Sequence, residues 1–384
     1  MKIYFKNLDG IRFLAAFLVV IHHAFFFKMN YSPGFQFVNH MFEDAGRMGV
    51  NLFFVLSGFL ISYLLLVEND KTGTISFKNF YVRRMLRIWP LYLVYGSILT
   101  FLTPFLLQYL GQATNIPIDA TITNFLFLIF FAVNIQLAFF EPNPGIFEIS
   151  WSVCIEEQFY LIWPLIVYYF RRKLIWVFFI MVIFRFILRA CCLIIPEFYP
   201  ISFDQLININ YLLIFDKLDL FGGGLFLALF YYNKDKYFSF FRVLWHPVVQ
   251  VIMLLITLLY VLAIIRPSGN LFFYGDHIIN VFLFGYLLIA AVNENSVFRF
   301  ENKLMRTLGK ISYGIYLFHT AVCQLVLFLF IKFIGSPDSR LLYDIAFPVV
   351  ATIATCIISY FSYEYFEKYF LKKKNSFAAI KTRI

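Results

Sequence analysis

Runs of about 18 or more apolar residues recur along this chain, more unbroken apolar length than the core of a water-soluble domain absorbs. In lipid such runs are stable as helices, which close their own backbone hydrogen bonds. Composition agrees, with 61% hydrophobic and 14% charged residues where soluble domains are roughly a quarter charged. The expected fold is all-α, a polytopic membrane helical bundle. Candidate crossings lie at 10–28, 46–67, 88–110, 151–170, 174–195, 211–232, 246–265, 271–291, 312–333 and 343–366, ten helices in all. Residues 123–140 are also apolar, but a crossing there would put Arg171, Arg172 and Lys173 outside. That segment is read as re-entrant or as a helix at the outer interface. Residues 1–370 form one membrane-embedded domain on this reading, and 371–384 a basic cytoplasmic tail.

The net charge of +10 is explained by topology. The six segments on the N-terminal side of the bundle hold 2, 5, 3, 3, 4 and 6 Lys or Arg, 23 of the 32. The opposite loops hold Arg266 and Arg340, with Lys28 and Arg47 at helix edges. This asymmetry follows the positive-inside rule with both termini cytoplasmic, and it argues against nucleic acid as a partner. The first apolar run lacks a small-x-small cleavage site, so no signal peptide is expected. The five cysteines show no metal-ligand spacing; buried free thiols and no metal are expected.

Against this apolar background a few polar residues stand out. Arg12 and His23 are eleven residues apart, which on one helix is about three turns and about 16 Å, so they share a face. A guanidinium and an imidazole within a crossing are costly in lipid, and they mark a protein interior or a wet cavity. His22 points about 100° away. An imidazole suits general-base work because its ordinary pKa lies near neutrality. Gly49, Ser57 and Gly58 are small enough to let helices approach closely.

Further along, the cytoplasmic loop delivers FYVRRMLRIWPLY, with Arg83, Arg84 and Arg87 flanking the start of the third helix and Trp89–Pro90 marking its entry. Arg84 and Arg87, three residues apart, form a two-pronged cation suited to phosphate. In WSVCIEEQFYLIWP, Glu156 and Glu157 open an apolar helix with Trp151 and Ser152 just before them; Ser152 is placed to cap it. Lys217 and Asp219 enter a Gly-rich helix, and Ser312 and His319 share a face in KISYGIYLFH. Trp151, Ser152, Asp219 and His319 are candidate substrate contacts. Each group also has a plainer role open to it: interhelical hydrogen bonding for the histidines, lipid anchoring for the arginines, a headgroup-level position for the glutamates.

LDGIRFLAA…HH (8–23), GVNLFFVLSGFLI (49–61), FYVRRMLRIWPLY (80–92), WSVCIEEQFYLIWP (151–164), KISYGIYLFH (310–319) and SYEYFEK (362–368), in this order, resemble the acyltransferase-3 family of membrane acyltransferases. Departures are Asn51 where aspartate is common, Cys154 for serine, Lys217 for arginine and Tyr369 for proline. The family often carries a C-terminal extracytoplasmic esterase-like domain, and none is expected here. The resemblance implies transfer of an acyl group, usually acetyl from acetyl-CoA, to a hydroxyl of an extracytoplasmic or lipid-linked carbohydrate. It implies a bacterial inner-membrane location, and it carries function onto Arg12, His23, Arg84, Arg87 and Glu156. On this view Arg84, Arg87 and Arg12 meet the acyl-CoA, and His23 acts as general base with Glu156 orienting or tuning its ring. A transient acyl-histidine is equally compatible.

Two rivals belong to other classes. A flippase or exporter would use intramembrane charge too, but the hydropathy pattern shows no inverted repeat. A glycan polymerase would need a long charged outer loop, whereas 111–150 holds Asp119, Glu141 and Glu148 as its only charges.

Overall fold

The computed structural model describes residues 2–3, 5, 7–29, 31–32, 34, 36–109, 117–140, 147–266, 270–293, 296–297, 299–300, 302–334, 342–377 and 381–382. Arg340 and Glu141, weighed above, lie outside them. In chain order the α-helices are α1 (Leu8–Met29), α2 (Gln36–Phe42), α3 (Ala45–Thr72), α4 (Phe77–Tyr109), α5 (Ile118–Ile129), α6 (Val133–Phe139), α7 (Trp151–Tyr169), α8 (Leu174–Ile194) and α9 (Phe203–Tyr211). They continue with α10 (Ile214–Tyr232), α11 (Phe238–Leu244), α12 (Pro247–Val261), α13 (Asn270–Ala291), α14 (Lys303–Lys310), α15 (Ser312–Ile334), α16 (Phe347–Ser362) and α17 (Lys368–Lys374). Among the described residues the one extended pairing joins Lys2–Ile3 to Lys381–Thr382.

All ten expected crossings are helical, but fewer are both long and apolar enough to span lipid. Among the described residues there are six such helices, or seven if the pair Phe238–Leu244 and Pro247–Val261, bent by 60°, is one span. Three of the ten fall short for physical reasons. Glu156 and Glu157 in α7, and Asp216, Lys217 and Asp219 in α10, make those helices too polar to qualify. α12, at 15 residues, is too short on its own.

Burial is inverted, as lipid requires. On α8, Ile180, Ile183 and Ile187 are 65%, 56% and 53% exposed while Arg185 and Arg189 are buried.

The chain divides into two compact units. The first comprises Met1–Tyr63, Gly223–Tyr365 and Lys381–Ile384. Here α1 packs on α14, α15 and α16 through Ile11, Ala15, Ala16, Val19, Val20 and Ala24, all wholly buried. Gly49 lets α3 rest on this helix, since a Cβ there would press on the Ala15 carbonyl oxygen and on Val19. Gly224 of α10 likewise lies against the backbone of Val55 and Phe59. At the far end of α1, buried Lys28 pairs with buried Asp344 and donates to Asn39 Oδ1 at 3.0 Å.

The second unit comprises Leu64–Gly222 and Phe366–Ile380. Residues 123–140 resolve into α5 and α6, broken where Phe131 takes φ 52°. A 12-residue helix is only about 18 Å long, short of the roughly 30 Å hydrocarbon core. Amides fasten the break: Gln136 Nε2 donates to Asn124 Oδ1 at 2.7 Å, Gln158 Nε2 to Asn134 Oδ1 at 2.9 Å and Asn134 Nδ2 to the Leu212 carbonyl at 3.0 Å.

One boundary differs from expectation. Arg83, Arg84 and Arg87 lie inside α4, which begins at Phe77, and not in a loop before it. Trp89–Pro90, read as the helix start, sits within a 33-residue helix that also contains Pro104. Membrane helices accommodate proline because neighbouring groups meet the freed backbone atoms.

Candidate active site

In the first unit His23 of α1 meets His319 of α15. His23 Nδ1 lies 2.9 Å from the Val19 carbonyl oxygen and 3.2 Å from His319 Nε2. His319, wholly buried, has its Nδ1 2.6 Å from the Tyr316 carbonyl oxygen. A carbonyl oxygen can only accept, so each ring carries its proton on Nδ1. His319 Nε2 is then a lone pair, accepting from His23 Nδ1–H. The consequence is specific: His23 Nε2 is the basic nitrogen. His22 Nδ1 lies 3.1 Å from the Phe42 carbonyl oxygen, and its ring stands edge-on to His23 with centroids 4.8 Å apart.

Arg12 sits on the first turns of the same unbroken helix and donates to Asp9 Oδ1 at 2.6 Å. Both side chains keep about a fifth of their surface, 20% and 19%. The helical rise between Arg12 and His23 is about 16 Å.

In the second unit the glutamates separate. Glu156 accepts from the Tyr160 hydroxyl at 3.2 Å, whereas Glu157 accepts from the Trp89 indole at 2.9 Å. The Arg84 guanidinium carbon lies 5.4 Å from the Tyr160 ring centre and 5.8 Å from that of Phe80, and its Nε has no hydrogen-bond partner. Arg83 is spoken for: it pairs with Glu68 at 3.3 Å and donates to the Phe377 carbonyl at 2.8 Å. Arg87 lies one turn beyond Arg84 on α4.

The expected substrate contacts are divided between the two units. His319 belongs with His23. Trp151, Ser152 and Asp219 belong to the second unit, and Asp219 is bound to buried Arg185 at 3.1 Å. Buried Lys217 pairs with Asp216 at 2.8 Å and sits 3.8 Å over the Tyr211 ring, which lies 5.0 Å from Trp151. Ser152 does not cap α7. Ser150 holds that position, its hydroxyl turned back to the Phe147 carbonyl at 2.6 Å, and Ser152 is buried one residue inside the helix. Cys154 is buried with its Sγ 3.3 Å from the Tyr92 hydroxyl, and Tyr369 is exposed. Among the described residues no three His, Cys, Asp or Glu side chains gather as metal ligands would.

Comparison with known proteins decides the family. The Acyltransferase domain family matches residues 5–364. The chain belongs to the acyltransferase-3 family. The family is one of acyltransferase domains, which weighs against the exporter reading. It is 28% identical over 387 residues to the Bacillus subtilis protein named "Putative peptidoglycan O-acetyltransferase YrhL", covering 95% of this chain and 54% of that one. It is 33% identical over 166 residues to the peptidoglycan O-acetyltransferase OatA of Listeria monocytogenes, 42% of this chain and 24% of that one. A Staphylococcus aureus (strain COL) protein named "Putative O-acetyltransferase" is 25% identical over 356 residues, 84% of this chain and 51% of its own length. This acyltransferase-3 chain spans about half the length of the Bacillus subtilis and Staphylococcus aureus relatives. No solved structure matches it.

Sequence reasoning marked His319 as a substrate contact and missed its bond to His23. It also passed over Glu157, Trp89 and Tyr160 as partners. The order of the motifs carries no distance between α1 and α15, which are 296 residues apart at His23 and His319.

Proposed function

We propose that this chain moves an acyl group, acetyl before others, from cytoplasmic acyl-CoA to a hydroxyl of an extracytoplasmic or lipid-linked carbohydrate. The observation that carries the reading is the relay from the Tyr316 carbonyl through His319 to His23, which leaves His23 Nε2 as an available base. His23 Nε2 takes the acceptor hydroxyl's proton while that oxygen attacks the thioester carbonyl. The carbonyl re-forms, the carbon–sulfur bond breaks, and the imidazolium returns the proton to the departing CoA thiolate. As positive charge grows on His23, its Nδ1–H bonds to Val19 and His319 strengthen.

The alternative order has Nε2 attack the thioester first and then pass the acyl group from an acyl-imidazole to the hydroxyl. Arg84 and Arg87 are proposed to hold the phosphates of CoA, and Arg12 to meet the same donor. Glu156 is proposed to tune the reacting groups. The relatives' names supply the acetyl group and the class of acceptor, a cell-wall glycan. The basic segments support cytoplasmic termini, and a bacterial inner membrane fits the bilayer-spanning helices.

The test uses inside-out membrane vesicles with acetyl-labelled CoA. Label should pass to glycan. If acceptor is withheld and label stays on the protein, in an acid-labile form lost in His23→Ala, the acyl-histidine order is correct. No label on protein or glycan sinks the transferase mechanism.

A further inference from the structure

Buried polar atoms nearly always find a partner, yet Asn280, Asn51 and Tyr260 of the first unit carry such atoms without one. Asn280 of α13 is 0% exposed, and neither its amide nitrogen nor its amide oxygen has a hydrogen-bond partner. Asn51 of α3 is 1% exposed with its amide nitrogen unpartnered, and Tyr260 of α12 is 2% exposed with its hydroxyl unpartnered.

One ion pair sets them together. Arg47 and Asp276 meet at 3.5 Å; Asn51 lies one turn beyond the first and Asn280 one turn beyond the second. The two helices run the same way, because deeper in the unit Gly224 rests on Val55 and Phe59 while its neighbour Gly223 rests on Val281. The two amides therefore occupy matching turns below the ion pair. Tyr260 is tied to the same place: its carbonyl accepts from Arg266 Nε at 3.1 Å, and Arg266 pairs with Asp44, which also pairs with Arg47 at 3.1 Å.

The exposure is graded. Asp44 and Arg47 keep 34% and 24% of their side-chain surface, while the two amides and the phenol are closed to solvent. The charges balance, two arginines against two aspartates, which offers a phosphate nothing in excess. The floor instead mixes amide and phenol groups, both donors and acceptors, as a hydroxyl demands.

We infer that this polar cluster binds the hydroxyls of a neutral sugar ring. It is a subsite of the acceptor glycan, an assignment that rests on the carbohydrate reading above. It is separate from the reacting hydroxyl: Asn51 lies about 200° round α3 from Gly49, the residue that rests on α1, the helix of His23. It grips the glycan away from the bond being made. Asn51 and Asn280 are amides, so this floor carries no charge of its own.

The test uses the full chain in lipid nanodiscs and a neutral N-acetylglucosamine tetramer as probe, with binding measured by calorimetry and Tm by thermal unfolding. Wild type should bind. Asn280→Leu and Asn51→Leu should each weaken binding at least about tenfold, because a bound hydroxyl is left unmet. Neither should lower Tm, since an apolar side chain of similar size removes an unsatisfied buried amide. A wild type that ignores the tetramer overturns the proposal. So does unchanged affinity in both variants with a lowered Tm, which would make the amides a packing element. Acetyl transfer is assayed in parallel. Tetramer binding lost in Asn280→Leu from a chain that transfers no acetyl group leaves the subsite standing and sinks the transferase reading alone.

Discussion

Replacing His319 by leucine removes one acceptor from the His23 ring and leaves the other. His23 Nδ1–H is shared between the Val19 carbonyl at 2.9 Å and His319 Nε2 at 3.2 Å. When His23 becomes an imidazolium in the transition state, a hydrogen bond to that charge is worth about 1.5–3 kcal/mol. Val19 retains the shorter share, so the leucine variant forfeits about 1–2 kcal/mol, or roughly five- to thirtyfold in kcat. KM for acetyl-CoA should not change, because the donor's phosphates are proposed to lie on arginines of α4. His319→Gln, whose amide oxygen can accept from the same Nδ1–H, should recover to within about threefold of wild type. The assay is the initial rate of acetyl transfer in vesicles at matched amounts of folded protein. Full kcat in His319→Leu refutes the relay. Glutamine that does no better than leucine reduces His319 to a packing residue.

Three other outcomes follow from the same structure. Arg84→Ala should raise KM for acetyl-CoA about tenfold with kcat held within a few-fold, a loss of one charge-assisted contact measured by steady-state kinetics; an unchanged KM assigns Arg84 to lipid. Lys28→Met alone should destabilise the protein by about 3–5 kcal/mol, because Asp344 is left buried and unpaired, while Lys28→Met with Asp344→Leu should unfold near the wild-type temperature. Gly49→Val should lower activity and Tm together, since its side chain presses on the Ala15 carbonyl and displaces the helix that carries His23; normal activity in that variant would mean α1 and α3 are free to separate.

The sequence revealed much of the frame. α1 is the unbroken helix that the Arg12–His23 spacing required, and the apolar runs at 174–195 and 312–333 are helices close to their expected limits. The helical spacing of α4 was legible but its start was not: Pro90 suggested a boundary, and lipid-buried helices override that signal. The two-helix fold of 118–139 depends on amides at 124, 134, 136 and 158, whose pairing across three helices leaves no periodic trace. Two contacts were out of reach for the same reason. His23 with His319, and Arg47 with Asp276, each join residues more than two hundred positions apart, so neither pairing can be read from local spacing. The choice between Glu156 and Glu157 turns on which of them Trp89 and Tyr160 touch, and that too is tertiary.

The central claim is that His23, and not its neighbour, is the group that moves the proton. Its most direct measurement compares His23→Ala with His22→Ala for transfer of labelled acetyl from acetyl-CoA to glycan in the same vesicles. His23→Ala should lose about 10²–10⁴-fold in rate, the contribution of a positioned general base, while His22→Ala, which costs a hydrogen bond to Phe42, should keep more than about a tenth of it. The opposite order, with His22→Ala inactive and His23→Ala active, contradicts the account.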